Sequence, residues 1–279
     1  MRFKASPLTA RRERSVRATV RENDQARTGL VLRFAAAVVA GALLVFASMT
    51  VASAKTVRIV GLGDSLMAGY ELGPEEGFVP TLERELRELG HDVEVIQAGV
   101  SGDTSTGGRQ RLEWSVPEDA DIVIVELGGN DALRGISPDV TRANIEAIVN
   151  DLRVRGQRPV LAGMLAPPNM GADYEASFNA IFPEVAEDRN VPLYPFFLDG
   201  AITVPGMMLA DGIHPSAEGV EVMVERFIPT ILPVIEEVKA DANALTPGPG
   251  TQPPVDPAVP ATPMEAVPEV ATPQAPAVQ

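Results

Sequence analysis

The chain has 279 residues, a formal net charge of −15 and no cysteine. The acidic balance argues against nucleic acid and anionic membrane as primary partners. The missing cysteines exclude disulfides, a thiol nucleophile, a lipobox anchor and the usual structural zinc sites, and two histidines, His91 and His214, are too few for a three-histidine metal centre.

Charge is unevenly spread. Residues 1–54 carry nine Lys or Arg against three acids, which leaves 14 against 35 in residues 55–279. The arginine-rich start is followed by an uncharged stretch from Phe34 to Val51 and then by Ala52-Ser53-Ala54, a small-residue pattern of the kind signal peptidases cut. Residues 1–54 are therefore expected to be a signal peptide cleaved after Ala54. An uncleaved N-terminal anchor is the alternative, because 18 residues sit at the short edge of a membrane span. In both cases the acidic bulk is expected outside the cytoplasm, periplasmic or secreted, since positive charge stays inside.

From Val57 onward strand-like runs alternate with helical periodicity. Candidate strands are Val57–Val60, Val93–Ile96, Ile122–Leu127, Val160–Leu165 and Leu193–Phe197. Between them lie apolar stripes at helix spacing: Val79, Leu82, Leu86 and Leu89; then Ile145, Ile148, Val149 and Leu152, entered through Ser137-Pro138; then Tyr174, Phe178, Ile181, Phe182 and Val185. A last helix is expected from about Ser216, with Val220, Met223, Val224 and Phe227 on one face. Repeated β–α alternation predicts an α/β domain over residues 55–240, its parallel sheet covered on both faces. Residues 241–279 are expected to be a disordered Pro/Ala-rich tail, with ten prolines between 246 and 279 and almost no periodic apolar content. It reads either as a spacer toward envelope material or as an inert extension.

The first strand breaks at Gly61 and Gly63, and Asp64-Ser65 follows. The carboxyl end of the first strand is where α/β sheets place ligands, so Ser65 sits where a nucleophile is useful. Taken alone, the stretch reads as a glycine turn capped by Asp64 and Ser65. Two other motifs fail here: a dinucleotide fingerprint needs a glycine where Leu66 stands, and a G-x-S-x-G elbow needs one where Met67 stands. Asp211 and His214 lie three residues apart in a Gly- and Pro-containing loop before the last helix, a spacing that lets one turn present both side chains to the same point. His91, in Gly90-His91-Asp92, reads as an exposed turn residue without a chemical role.

Three further segments accompany Gly63-Asp64-Ser65-Leu66: Ser101-Gly102-Asp103-Thr104-Ser105, Glu126-Leu127-Gly128-Gly129-Asn130-Asp131 and Asp211-Gly212-Ile213-His214-Pro215. In this order they resemble the four sequence blocks of the GDSL, or SGNH, hydrolases, and the resemblance spans roughly residues 56 to 235. Gly128 to Gly135 and Val191 to Leu198 are similar to one branch, the exported multifunctional thioesterase I, lysophospholipase L1 and arylesterase group.

The resemblance implies a three-layer α/β/α sandwich, flavodoxin-like, with a five-stranded parallel sheet in the order 2-1-3-4-5. It implies Ser65 as nucleophile, His214 as base and Asp211 as its orienting acid. The Ser65 N–H, the Gly102 N–H and the Asn130 amide become the oxyanion donors. A serine hydroxyl needs such a base, and a developing oxyanion needs such donors. No metal or organic cofactor is expected, and a monomer is. The expected substrate is a small-molecule ester or lipid, namely an aryl or acyl ester, a lysophospholipid or an acyl thioester. An acetylated envelope carbohydrate is the alternative substrate, and a catalytically idle envelope-binding module the alternative class. Leu66, Met67, Leu133, Ile136, Pro167, Pro168 and Met170 are the candidate acyl groove, and Leu133-Arg134-Gly135-Ile136 a candidate flap over it.

Overall fold

Each of the five candidate strand runs yields a strand in the computed structural model, which describes residues 55–245. The strands are β1 (Val57–Gly63), β2 (Val93–Gly99), β3 (Ile122–Glu126), β4 (Arg158–Ala162) and β5 (Leu193–Tyr194). All pair in parallel, in the order β2-β1-β3-β4-β5. Every residue of β3 is buried, as its central place in a doubly covered sheet requires. Residues 1–54 and 246–279, on which the expected leader and most of the expected tail fall, lie outside the described residues.

Helices cover both faces. Phe78–Glu88 buries Phe78, Val79, Leu82 and Leu86, but Leu89 of the expected stripe is exposed. The helix stops one residue before it, and Gly90 turns the chain at φ +88°. Pro138–Val154 buries Ile145, Ile148, Val149 and Leu152 as its spacing predicts. The stripe from Tyr174 to Val185 belongs to two helices, Ala172–Asn179 and Ile181–Arg189. Pro183 causes the break: it has no N–H to give the Asn179 carbonyl, and its ring crowds that carbonyl. Ala217–Leu245 is longer than expected, so residues 241–245, assigned to the tail by composition, belong to the helix. An Arg158–Asp241 ion pair ties that last turn to the amino end of β4.

Strand limits also shift. β1 and β2 run on to Gly63 and Gly99, carrying the chain up to the rim where the loops gather. β4 starts and ends earlier than Val160–Leu165, and β5 is only two residues because Pro195 cannot extend the ladder. Phe78, Phe197, Tyr194 and Phe227 pack edge to face beneath the rim, joining the helix 78–88, β5 and the last helix.

Candidate active site

At the carboxyl edge of β1, Asp64 caps the short helix Ser65–Ala68, its Oδ1 accepting the Leu66 N–H at 3.0 Å. A Cβ on Gly63 would lie 2.5 Å from Glu126 Oε2 and 2.8 Å from the Glu126 carbonyl, so only glycine lets the ends of β1 and β3 approach this closely. The Ser65 N–H donates to no protein acceptor among the described residues. The same holds for the N–H of Gly102, which turns the chain after β2 at φ +81°.

The loop before the last helix is organised by its own acid. Asp211 Oδ1 accepts the Ile213 N–H at 2.9 Å and the His214 N–H at 3.0 Å. The Leu209 N–H donates to the His214 carbonyl at 2.8 Å, and Met208 bridges Pro215, closing the turn. Asp211 Oδ2 lies 2.6 Å from His214 Nδ1, and His214 Nε2 lies 2.8 Å from Ser65 Oγ. The His214 ring and then the two N–H groups pull the Asp211 carboxyl down to about 2. A carboxylate at Nδ1 assigns the ring proton there and leaves Nε2 to accept the Ser65 O–H. The Tyr70 ring covers the imidazole, centroids 4.4 Å apart at 34°.

Asn130 lies on the short helix Gly129–Leu133 that follows β3, and its Nδ2 donates to Asp64 Oδ2 at 2.9 Å. The next residue, Asp131, is fully buried and accepts the Ser105 N–H at 2.8 Å and the Thr141 hydroxyl at 3.0 Å. That carboxylate fastens the Gly102 loop to the Asn130 loop. Arg134 clasps them from outside by donating to the Gly102 carbonyl at 2.8 Å. Arg111, buried, pairs with Asp103 and donates to the carbonyls of Gly63 and Ala98.

All five residues expected from the four blocks thus gather at one rim: Ser65, Asp211 and His214 in direct hydrogen-bond contact, with Gly102 and Asn130 on the adjoining loops. Sequence reasoning missed Arg111, Glu126 and Asp131. Glu126 had one legible signal, a lone charge closing an apolar run. It is fully buried; burial and then the neighbouring Asp64 push its carboxyl well above the ordinary range. Two expectations need correction. Leu66 and Met67 are buried under the β1 turn and cannot line a groove. His91 is half-buried rather than exposed, within 2.9 Å of Lys239 on the last helix. Among the described residues no group of His, Asp or Glu is placed to hold a metal ion.

A parallel sheet with hydroxyl, imidazole and carboxylate in series at its carboxyl edge has the make-up of an ester hydrolase. Comparison with known proteins bears this out. Residues 62–222 match the GDSL-like Lipase/Acylhydrolase family, and the chain belongs to it. It is 38% identical over 185 residues to the esterase TesA of Pseudomonas aeruginosa, covering 66% of this chain and 91% of that one. It is 38% identical to an arylesterase of Vibrio mimicus, over 63% of this chain and 88% of the relative. Among solved structures, the SGNH-hydrolase family esterase AlinE4 shares 40% identity at a TM-score of 0.55, over 69% of this chain and 98% of that one. The protein is an ester-hydrolysing enzyme of the SGNH type.

Proposed function

We propose that the enzyme is an exported serine esterase working through an acyl-enzyme, with Ser65, His214 and Asp211 as its triad. The observation that carries this reading is the unbroken series of contacts, 2.8 Å from Ser65 Oγ to His214 Nε2 and 2.6 Å from Nδ1 to Asp211. Ser65 Oγ attacks the ester carbonyl carbon while its proton passes to Nε2. Asp211, ionised down to about pH 2, stabilises the imidazolium as it forms. The Ser65 and Gly102 N–H groups and the second Asn130 amide hydrogen receive the oxyanion. The carbon–oxygen bond to the alcohol then breaks, and the alcohol leaves with the Nε2 proton. Water attacks the acyl-enzyme by the same steps in reverse, returning the proton to Ser65. The chain's own groups carry every step, so no cofactor enters.

For the substrate, we infer an aryl or acyl ester or a lysophospholipid. Tyr70, Val100, Leu133 and Ile213 are large apolar side chains left exposed on the segments that bear these groups, and Leu165 is exposed on the loop after β4. They take the place of Leu66 and Met67 as the surface offered to an acyl chain. Export through residues 1–54, a monomeric hydrolase domain from residue 55 and a Pro-rich spacer complete the reading. Outside the cytoplasm acyl-CoA is scarce, which favours lipid or small esters over thioesters.

A fluorophosphonate probe should form an adduct on Ser65 and none on Ser65→Ala; folded wild-type protein that stays unlabelled would overturn the reading. Across p-nitrophenyl esters, medium acyl chains should be turned over at least as well as acetyl. A sharp preference for acetyl would instead favour the envelope-carbohydrate substrate. Amino-terminal sequencing of the exported protein should begin at Lys55.

A further inference from the structure

Behind the nucleophile lie two buried carboxyls that the reaction scheme leaves idle. Asp64 is 2% exposed and Glu126 wholly enclosed. Asp64 meets two donors at once: Oδ1 takes the Leu66 N–H at 3.0 Å, and Oδ2 takes the Asn130 amide at 2.9 Å. Only an ionised carboxylate presents two acceptors in this way. An amide at position 64 has one oxygen, so it must face either Leu66 or Asn130 with a donor, and two facing donors repel. The Asp64 contact also fixes which way round the Asn130 amide lies, because it holds Nδ2 rather than Oδ1 on that side.

Glu126 stands one layer deeper. Its Oε2 accepts the Asp64 N–H at 3.1 Å, while its Oε1 has no partner among the described residues. An enclosed anionic oxygen without a donor is costly, and a second anion beside Asp64 more so. The charged groups around this pair are few. Arg111 reaches the Gly63 carbonyl and directs three more of its donors to Asp103, Ala98 and Ser115. Burial pushes the Asp64 carboxyl up, and its hydrogen bonds from Leu66 and Asn130 and the nearby His214 work against that. Among the described residues no ion pair involves Glu126, whose hydrogen bond comes from the Asp64 N–H.

We propose that Asp64 is a positioning residue that aims the Asn130 amide at the oxyanion, and that Glu126 supports it as a neutral carboxylic acid anchoring the Asp64 backbone. The inference rests on the serine esterase reading, since it needs Asn130 to be an oxyanion donor. It explains why a glycine turn carries a buried carboxylate where a serine or threonine would cap equally well: the cap needs one acceptor, and Asn130 needs a second.

The test is a double-mutant cycle on the full-length enzyme with a p-nitrophenyl ester. Asp64→Asn should lower kcat about 10²–10³-fold, as losing an oxyanion donor does, with KM within about threefold of wild type. In an Asn130→Ala background the same change should cost less than about threefold, because the group it aims is gone. If the two losses multiply, Asp64 does not act through Asn130 and the proposal falls. Should Asp64→Asn fail to fold, Asp64→Ser keeps the cap on Leu66 and removes only the Asn130 acceptor, and carries the same cycle. Glu126→Ala should cost at least about tenfold in kcat, and Glu126→Gln should rescue it to within about threefold. A Gln variant as impaired as the Ala variant would show that charge is needed and overturn the neutral acid. Fluorophosphonate labelling of Ser65 in the wild type is read alongside. Labelling with a multiplicative cycle sinks only this inference, whereas absent labelling sinks the esterase reading beneath it.

Discussion

The two halves of the site are built in opposite ways. Ser65 and Asn130 stand on a buried floor where β1 and β3 converge, held by contacts between residues more than sixty positions apart. Asp211 and His214 stand on an exposed loop shaped by residues close in the chain, by Asp211 itself and by the Leu209–His214 and Met208–Pro215 contacts that close the turn. The floor is held by packing and has no room to yield. The loop is held by a handful of local hydrogen bonds, with open space around Gly206 and Gly212. Acyl transfer needs fixed oxyanion donors but a base that moves a proton between partners, and this division provides both.

The contrast can be broken at its centre. Ser65→Ala or His214→Ala should lower kcat/KM by at least about 10⁴-fold, near 5.5 kcal/mol, without changing the melting temperature appreciably. Asp211→Asn should cost about 10³-fold, less than losing the imidazole, since His214 keeps its contact to Ser65.

Stability measurements sharpen it. Gly63→Ala on the floor should destabilise by about 1–3 kcal/mol or more, because the new methyl meets backbone and the Glu126 carboxyl. Glu126 makes stability depend on pH. Its carboxyl is raised in the folded protein, so above the ordinary value near 4.3 the unfolded chain holds fewer protons, and stability falls as pH rises toward the folded value. Glu126→Gln lacks this slope and should gain on the wild type by up to about 1.4 kcal/mol for each pH unit in that window, read by thermal melts. Gly212→Ala on the loop should cost only about 1 kcal/mol, from the φ of +70° rather than from any clash, and should lower kcat a few-fold at most.

The same contrast decides what could be read in the sequence. The loop was legible because its interactions are local: Asp211 and His214 sit at a spacing that one turn satisfies. The sheet was legible too, since runs such as Ile122–Val125 have no other place to go. Pro183 marks the break between the two helices at 172–189, yet the unbroken stripe across it hid the break. The floor was not legible. Nothing near Glu126 in the chain tells that it will meet the Asp64 N–H, and Leu66 and Met67 look like ligand-facing loop residues until the sheet buries them. Asp131 passed for part of a glycine turn because its partners, Ser105 and Thr141, lie in other elements.

The last helix begins just beyond the His214 loop and runs about 43 Å to the opposite end of the sheet. There Asp241 meets Arg158 and, close by, Lys55 meets Asp121. Both limits of the described chain therefore emerge on the side away from the catalytic rim. A fusion partner, affinity tag or solid support joined at either limit should leave the mouth facing outward, so an immobilised preparation should keep the turnover of the free enzyme.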